Sequence, residues 1–294
     1  MAMTISYSGL AAFHAVAEAS SFTGAAKARN VSQPTLSSQV RGLEEAYGVR
    51  LFDRMGRQVK LTPLGQSLFV ITARLFAAQD EAQSLLAGTR TLQRGHLRIA
   101  ADSATHVMTA LARMREKYPG LTFSMTIGNS SQVVDQIMDF AADVAITARQ
   151  SSDPRLHIVK LRSDRLVAFV SSDHPLAVHD AIPIEAFAGQ DIVLRERGSI
   201  TREVFEGRLF EASVRPANLL EVQSREAVRE AVAAGFGIGV IFSAEFRADA
   251  QVKRLEITGT DFSVGEYAAC RAERRRIPLV RSFFETVQEL AAED

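Results

Sequence analysis

The chain reads as an α/β protein in three parts: a small helical head, one long helix and a larger unit of alternating strands and helices. Three observations carry this reading. Residues 20–65 set two short capped helices ahead of a Gly-turned ribbon. Apolar side chains then recur at spacings of four and three from residue 64 to 85. Beyond residue 97, short apolar strands alternate with amphipathic helices. At 294 residues with 47% hydrophobic content, the chain is long enough for more than one core.

The head is read from Ser32, which caps a helix opening on Gln33-Pro34-Thr35; a proline in the first turn sacrifices no intrahelical bond. Leu36, Val40 and Leu43 form its inward stripe, leaving Gln33, Thr35, Ser37, Ser38 and Arg41 outward as groove-reading side chains. Upstream, Ser21 caps a shorter helix whose Ala25 and Ala26 permit a close crossing, with Asn30-Val31 as the turn. Downstream, Val49-Leu51-Phe52 and Val59-Leu61 flank Arg54-Met55-Gly56-Arg57-Gln58, a basic β-wing. The expected DNA-contacting set is Ser32, Gln33, Pro34, Thr35, Ser37, Ser38, Arg41, Arg54 and Arg57. Overall charge is zero, yet residues 1–65 carry three net positive charges, on the DNA-reading end.

The stretch SFTGAAKARNVSQPTLSSQVRGLEEAYGVRLFDR, followed by VKLTPLG, resembles the N-terminal signature of the LysR-type transcriptional regulators almost position by position, and a weaker likeness runs over the whole length. Arg29 stands where that family usually keeps a leucine, which threatens the small core unless the head of the side chain reaches water. Ser38 stands where the family often has an arginine, which bears on DNA preference.

Leu64, Leu68, Ile71, Leu75, Ala78, Ala82 and Leu85 form a heptad seam that needs a partner. Packing on its own domain is opposed by the polar opposite side, Gln66, Arg74, Gln79, Asp80, Glu81 and Gln83. The resemblance implies a linker helix paired with its mate in a homodimer, and favours pairing of dimers into a homotetramer.

The remainder is expected as strand 97–101, helix 106–117, strand 121–127, helix 131–140 and strand 143–147, then a second unit. Its parts are strands at 165–170, 191–194, 219–222 and 238–242, with helices from Arg202 and Arg225. A returning strand near 267–270 and a helix over 278–290 complete the chain. The resemblance implies the family's two-lobed effector domain, a periplasmic-binding-protein-like fold, with the C-terminal piece completing the first lobe. The expected domains are a winged helix-turn-helix over 1–62, a linker over 63–90 and an effector domain over 91–294. Within the last, lobe 1 takes about 91–161 and 267–294, lobe 2 about 162–266, and the hinge lies near 161–164 and 265–267.

Ligands of open α/β sheets sit beyond the carboxyl ends of strands, where helix N-termini offer unpaired amides. Such ends here are hydroxyl-rich: Ser103, Thr105, Asn129, Ser130 and Thr147 in the first half, Ser199, Thr201 and Ser224 in the second. Each serine taken singly reads as a helix cap; their concentration favours a small polar effector between lobes, and Arg149, Arg202 and Arg225 suit an anion. LRERGSITREVFE and SREAVREAVAAGFGIGV resemble family members associated with aminoethylphosphonate catabolism, which implies a phosphonate; a carboxylate fits almost as well.

The GFGIG run at 235–239 follows a helix and precedes a strand, the reverse of a dinucleotide fingerprint, and is read as a helix cap and turn. No G-x-S-x-G elbow, P-loop or marked carboxylate pair appears, so no enzyme is expected. The six histidines lack ligand spacing, a lone Cys270 allows no thiol pair, and neither metal nor cofactor is expected. Arg271, Arg274, Arg275 and Arg276 would suit contact with DNA or a partner, but such a run reads first as a solvated loop. With no apolar leader or 18-residue apolar run, a cytoplasmic, non-membrane protein is expected. The expected partners are double-stranded DNA, a small-molecule effector, further copies of the chain and RNA polymerase. The competing reading is a cytoplasmic solute-binding module with no DNA-binding role.

Overall fold

The computed structural model describes residues 5–55, 58–86 and 95–293. They fall into two compact units, one built from the chain up to Leu86 together with residues 139–141, the other from residues 95–138 and 142–293.

The first unit begins with α1 (Tyr7–Ala19), α2 (Phe22–Ala28) and α3 (Gln33–Tyr47). Ser6, Ser21 and Ser32 cap them, each side-chain oxygen accepting a first-turn amide, from Gly9, Gly24 and Thr35. Asn30 takes the left-handed conformation (φ 58°) in the turn between α2 and α3. Phe13, Val16, Ala25, Ala26, Leu36, Val40, Leu43 and Leu51 close one core. Arg29 is exposed, so its charge lies outside that core and the threat it posed is not realised. Strands β1 (Phe52–Met55) and β2 (Gln58–Leu61) pair antiparallel, Met55 opposite Gln58. Glu44 Oε1 accepts the Leu51 amide at 2.8 Å, tying α3 to the start of this ribbon. Arg57 lies outside the described residues, as does the Arg54 side chain.

Helix α4 (Pro63–Leu86) starts under a Thr62 cap, whose hydroxyl accepts the Gly65 amide at 3.0 Å. A Cβ at Gly65 would stand 2.1 Å from the Leu51 carbonyl, so only glycine allows α4 this close to the chain before β1. One side of α4 packs on α1. The His14 ring lies 5.0 Å from both Phe69 and Phe76, and its Nδ1 is 3.0 Å from the Thr72 hydroxyl. The other side leaves Leu64, Ile71 and Leu75 exposed by 49, 57 and 40%. The seam is therefore divided: Leu68 packs against the head's own core, and the Leu85 side chain lies outside the described residues.

The second unit holds β3 (Gly95–Ala101), α5 (Ala104–Lys117), β4 (Leu121–Ile127), α6 (Ser130–Met138), β5 (Val144–Thr147) and β6 (Leu156–Ser171). These are followed by β7 (Ala181–Pro183), β8 (Asp191–Arg195), α7 (Ile200–Glu211), β9 (Asn218–Val222) and α8 (Arg225–Ala233). The chain ends with β10 (Ile238–Phe242), β11 (Val252–Thr258), β12 (Ser263–Arg271) and α9 (Pro278–Glu293). Strand order is β4-β3-β5-β12-β6-β10-β8-β9, with β11 on β6 and β7 on β11. β6 is shared: Leu156–Arg165 pair with β12, and Leu166–Ser171 with β10 and β11. The sheet thus serves two lobes, one core around Ile99, Met114, Ile146 and Phe283, the other around Leu194, Phe205, Ile238 and Leu255. Helix α9 sits in the first of these cores. A register shift between Glu266 and Tyr267 kinks β12 where it passes between lobes.

The expected strand at 165–170 is the second half of a sixteen-residue one, and β7 and β11 are additional. Arg162, Ser163, Asp164 and Arg165 hide the continuity of β6 because they interrupt the apolar pattern where the strand leaves the first core. Gly235 (φ 84°) and Gly237 (φ 130°) close α8 and turn into β10; a Cβ on Gly237 would meet the Asp191 carbonyl at 2.1 Å. Arg274 corrects the solvated-loop reading of its cluster. It is buried, and with Arg98 it flanks buried Asp143 at 2.7 and 2.8 Å. Among the described residues, no helix is long and apolar enough to cross a membrane.

Candidate functional site

On α3, Ser32, Gln33, Pro34, Thr35, Ser38 and Arg41 are exposed and Ser37 half-buried, opposite buried Leu36, Val40 and Leu43. The face is internally ordered. Ser32 Oγ lies 2.7 Å from the Thr35 hydroxyl, Gln33 Nε2 donates to Ser37 Oγ at 3.1 Å, and Arg41 Nε lies 3.6 Å from exposed Glu45. Hydroxyl, amide and guanidinium groups on one solvent-facing side are the inventory that base-edge recognition needs.

In the second unit the strand ends meet at Asp102, directly after β3. Its buried Oδ2 accepts the Ser130 hydroxyl at 2.6 Å, the Thr147 hydroxyl at 3.0 Å and the Ala148 amide at 2.8 Å. One carboxylate therefore holds the start of α6 and the end of β5 against the end of β3. Sequence reasoning missed Asp102 because it sought hydroxyls as ligand donors. The available signal was an acid placed directly after the apolar strand end Ile99-Ala100-Ala101.

The expected effector residues separate into three groups. Ser103, Asn129, Ser130, Thr147, Ser199 and Thr201 are buried and Thr105 half-buried. Asn129 Nδ2 donates across to the Arg197 carbonyl at 3.5 Å, and the Ser131 amide to the Gly198 carbonyl at 3.2 Å. Ser224 caps α8 by accepting the Ala227 amide at 3.1 Å. The arginines are already paired. Arg225 Nε donates to Glu245 at 2.6 Å and its guanidinium reaches the Asp102 carbonyl across the lobes. Arg149 of the first lobe meets Glu203 of the second at 2.6 Å. Arg202 instead binds Glu206, Glu221 and the Arg195 carbonyl, all within its own lobe. Arg202, read with Arg149 and Arg225 as suited to an anion, is thus paired with two carboxylates of its own lobe rather than across the lobes.

A cavity between the lobes is lined by Asp102, Ser103, Asp164, Glu245 and Glu266 among others. Burial pushes the carboxyls of Glu245 and Glu266 above the ordinary glutamate range, against the pull of Arg225 on one and Arg162 on the other. Burial likewise pushes the Cys270 thiol up to about 12, which leaves it inert at neutral pH. Among the described residues no group of His, Cys, Asp and Glu is arranged to hold a metal ion.

Residues 8–66 match the family model described as a bacterial regulatory helix-turn-helix protein, lysR family, and residues 90–292 match the LysR substrate binding domain. The HTH-type transcriptional activator CmpR of Synechocystis sp. is 31% identical over 231 residues, covering 78% of this chain and 76% of the relative. A full-length OxyR variant from Pseudomonas aeruginosa shares the fold with a TM-score of 0.75 at 20% identity, over 98% of this chain and 95% of that one. The regulatory domain of Synechocystis CcmR, solved in complex with 2-PG, matches at 25% identity and a TM-score of 0.62, over 67% of this chain and 98% of the domain. With both family models matched in order and covering most of its length, the chain belongs to the LysR family and is a ligand-responsive transcriptional regulator.

Proposed function

We propose that this regulator responds to a small anion held between the lobes of its second unit. The observation that supports this most directly is the meeting of helix starts from both lobes. α5 at Ser103 and α6 at Ser130 are linked through Asp102, Asn129, Ser131, Arg225 and Glu245 to α7 at Gly198-Ser199 and α8 at Ser224-Arg225. Their dipole ends favour negative charge, and Arg149 and Arg225 supply paired donors for phosphate, phosphonate or carboxylate. The 2-PG complex of CcmR is consistent with this class, and a phosphonate is the narrower candidate. An anion that engages Arg149 or Arg225 competes with Glu203 or Glu245 and so changes how the lobes are tied, which biases the state the DNA heads sense.

In this reading Thr35, Ser37 and Ser38 approach base edges, with Ser32, Gln33, Pro34 and Arg41 beside them, while Arg54 and Arg57 contact phosphate or the minor groove. The open side of α4 pairs two chains, with the cytoplasm as the working compartment. Calorimetric titration of the full-length protein against organophosphates, phosphonates, carboxylates and uncharged aromatics tests the effector class. Saturable heats for anions alone support it; binding confined to an uncharged compound refutes it.

A further inference from the structure

Glu245 ends the short turn that follows β10, and its place is set from two sides. The Ala244 amide beside it donates to Asp164 Oδ2 at 3.1 Å, docking the turn on β6. Its own carboxylate, only 6% exposed, accepts Arg225 Nε at 2.6 Å and hydrogen-bonds with Ser103 of the opposite lobe, the residue that caps α5. A buried carboxylate against a guanidinium and a helix N-terminus has the partners that a bound anionic ligand requires.

We propose that Glu245 is a tethered internal anion, occupying the position an effector must take and setting the threshold concentration at which the protein responds. This rests on the anionic-effector reading above. The incoming anion displaces the Glu245 carboxylate from Arg225 and Ser103, so observed affinity is intrinsic affinity reduced by the cost of that displacement. Nothing covalent changes; one charge-assisted contact is exchanged for another.

The surroundings give the exchange a pH dependence. Glu245 faces Asp102 and Ser103 at the end of β3, Asp164 on β6, Glu266 with its Arg162 partner on β12, and Arg225 on α8. Burial and the Asp102 charge raise its proton affinity, while Arg225 and Ser103 oppose them. Acidification therefore neutralises the tethered anion and weakens its hold on Arg225, so an effector that stays ionised binds more tightly as pH falls.

The test is calorimetric titration of the full-length protein and Glu245→Gln with sulfate, which stays ionised throughout, and with methylphosphonate, between pH 5.5 and 8. Glutamine keeps the shape and a neutral acceptor for Arg225. Replacing a charged by a neutral competitor is worth roughly tenfold in affinity. We expect the variant to bind both anions about tenfold more tightly at pH 8 and to lose the pH dependence of sulfate binding that the parent shows. Glu245→Asp, which keeps the charge but shortens its reach, should fall between them and covers the case in which the glutamine variant folds poorly. Anion binding by the parent with unchanged or weaker affinity in Glu245→Gln overturns the proposal and leaves the anionic-effector reading standing. Failure of both proteins to bind either anion, while an uncharged compound binds, overturns both.

Discussion

Removing the Asp102 carboxylate tests whether a single buried group organises the effector lobes. Asp102→Ala strands two hydroxyls and one amide, those of Ser130, Thr147 and Ala148, which now reach Oδ2 at 2.6, 3.0 and 2.8 Å. Hydrogen bonds to a charged acceptor contribute about 1.5–3 kcal/mol each, and a buried donor left unpaired costs about 1–3 kcal/mol. Two effects offset part of the loss. The carboxylate no longer has to be desolvated, and the adjoining cavity admits water to the freed hydroxyls. A net destabilisation of about 2–4 kcal/mol remains. For a unit of this size each kcal/mol moves the melting point by roughly 2–4 °C, so the transition of the second unit should fall by about 4–16 °C. Scanning calorimetry of the full-length protein reads this directly, and Asp102→Asn, which retains one acceptor oxygen, should lose less. A drop under about 2 °C for Asp102→Ala would mean that water replaces the carboxylate without cost and that Asp102 is not the organising group.

Ile71→Asp with Leu75→Asp places two charges on the open side of α4 while sparing Leu68, which the head's core needs; sedimentation should show monomers with the head still folded, and persisting dimers would place the interface elsewhere. Asp143 is held below the usual carboxylate range because the Arg98 hydrogen bonds and the Arg98 and Arg274 charges outweigh its burial. Its contribution is therefore complete above the unfolded value of 3.8 and is lost as pH falls through the lower folded value. Asp143→Ala should cost about 3–5 kcal/mol and flatten the acid limb of a stability–pH curve, because two half-buried or buried arginines lose their partner. At the DNA-reading face, Thr35→Ala should relax preference at one operator position by roughly 1–3 kcal/mol, whereas Arg57→Ala should weaken binding to all sequences and reduce the salt slope by about one. Equal loss of preference in both variants, measured by competition binding at several salt concentrations, would contradict the division of roles.

What local sequence determined is what local physics controls. Ser32 before Gln33-Pro34, the stripe Leu36–Val40–Leu43 and the cap at Ser21 specify the head, because capping and helical periodicity act within one turn or two. The alternation of strands and helices was legible for the same reason, as was the glycine turn at 235–237. The hydroxyl-rich helix starts were legible as a set, but their commitments were not. Ser130 and Thr147 donate to Asp102, a partner 28 and 45 residues away, and no periodicity encodes such a bond. Arg202 and Arg225 look alike as exposed-type arginines in the sequence and each pairs with a carboxylate of its own lobe, yet only Arg225 of the two also bridges to the Asp102 carbonyl among the described residues. Likewise Arg274 reads as solvated until the fold sets it on Asp143, and Leu68 reads as seam until it packs against the head's own core. In each case the deciding contact is long-range, fixed by how strands order in the sheet and where helices cross. Only the tertiary structure could say which charges are already spoken for.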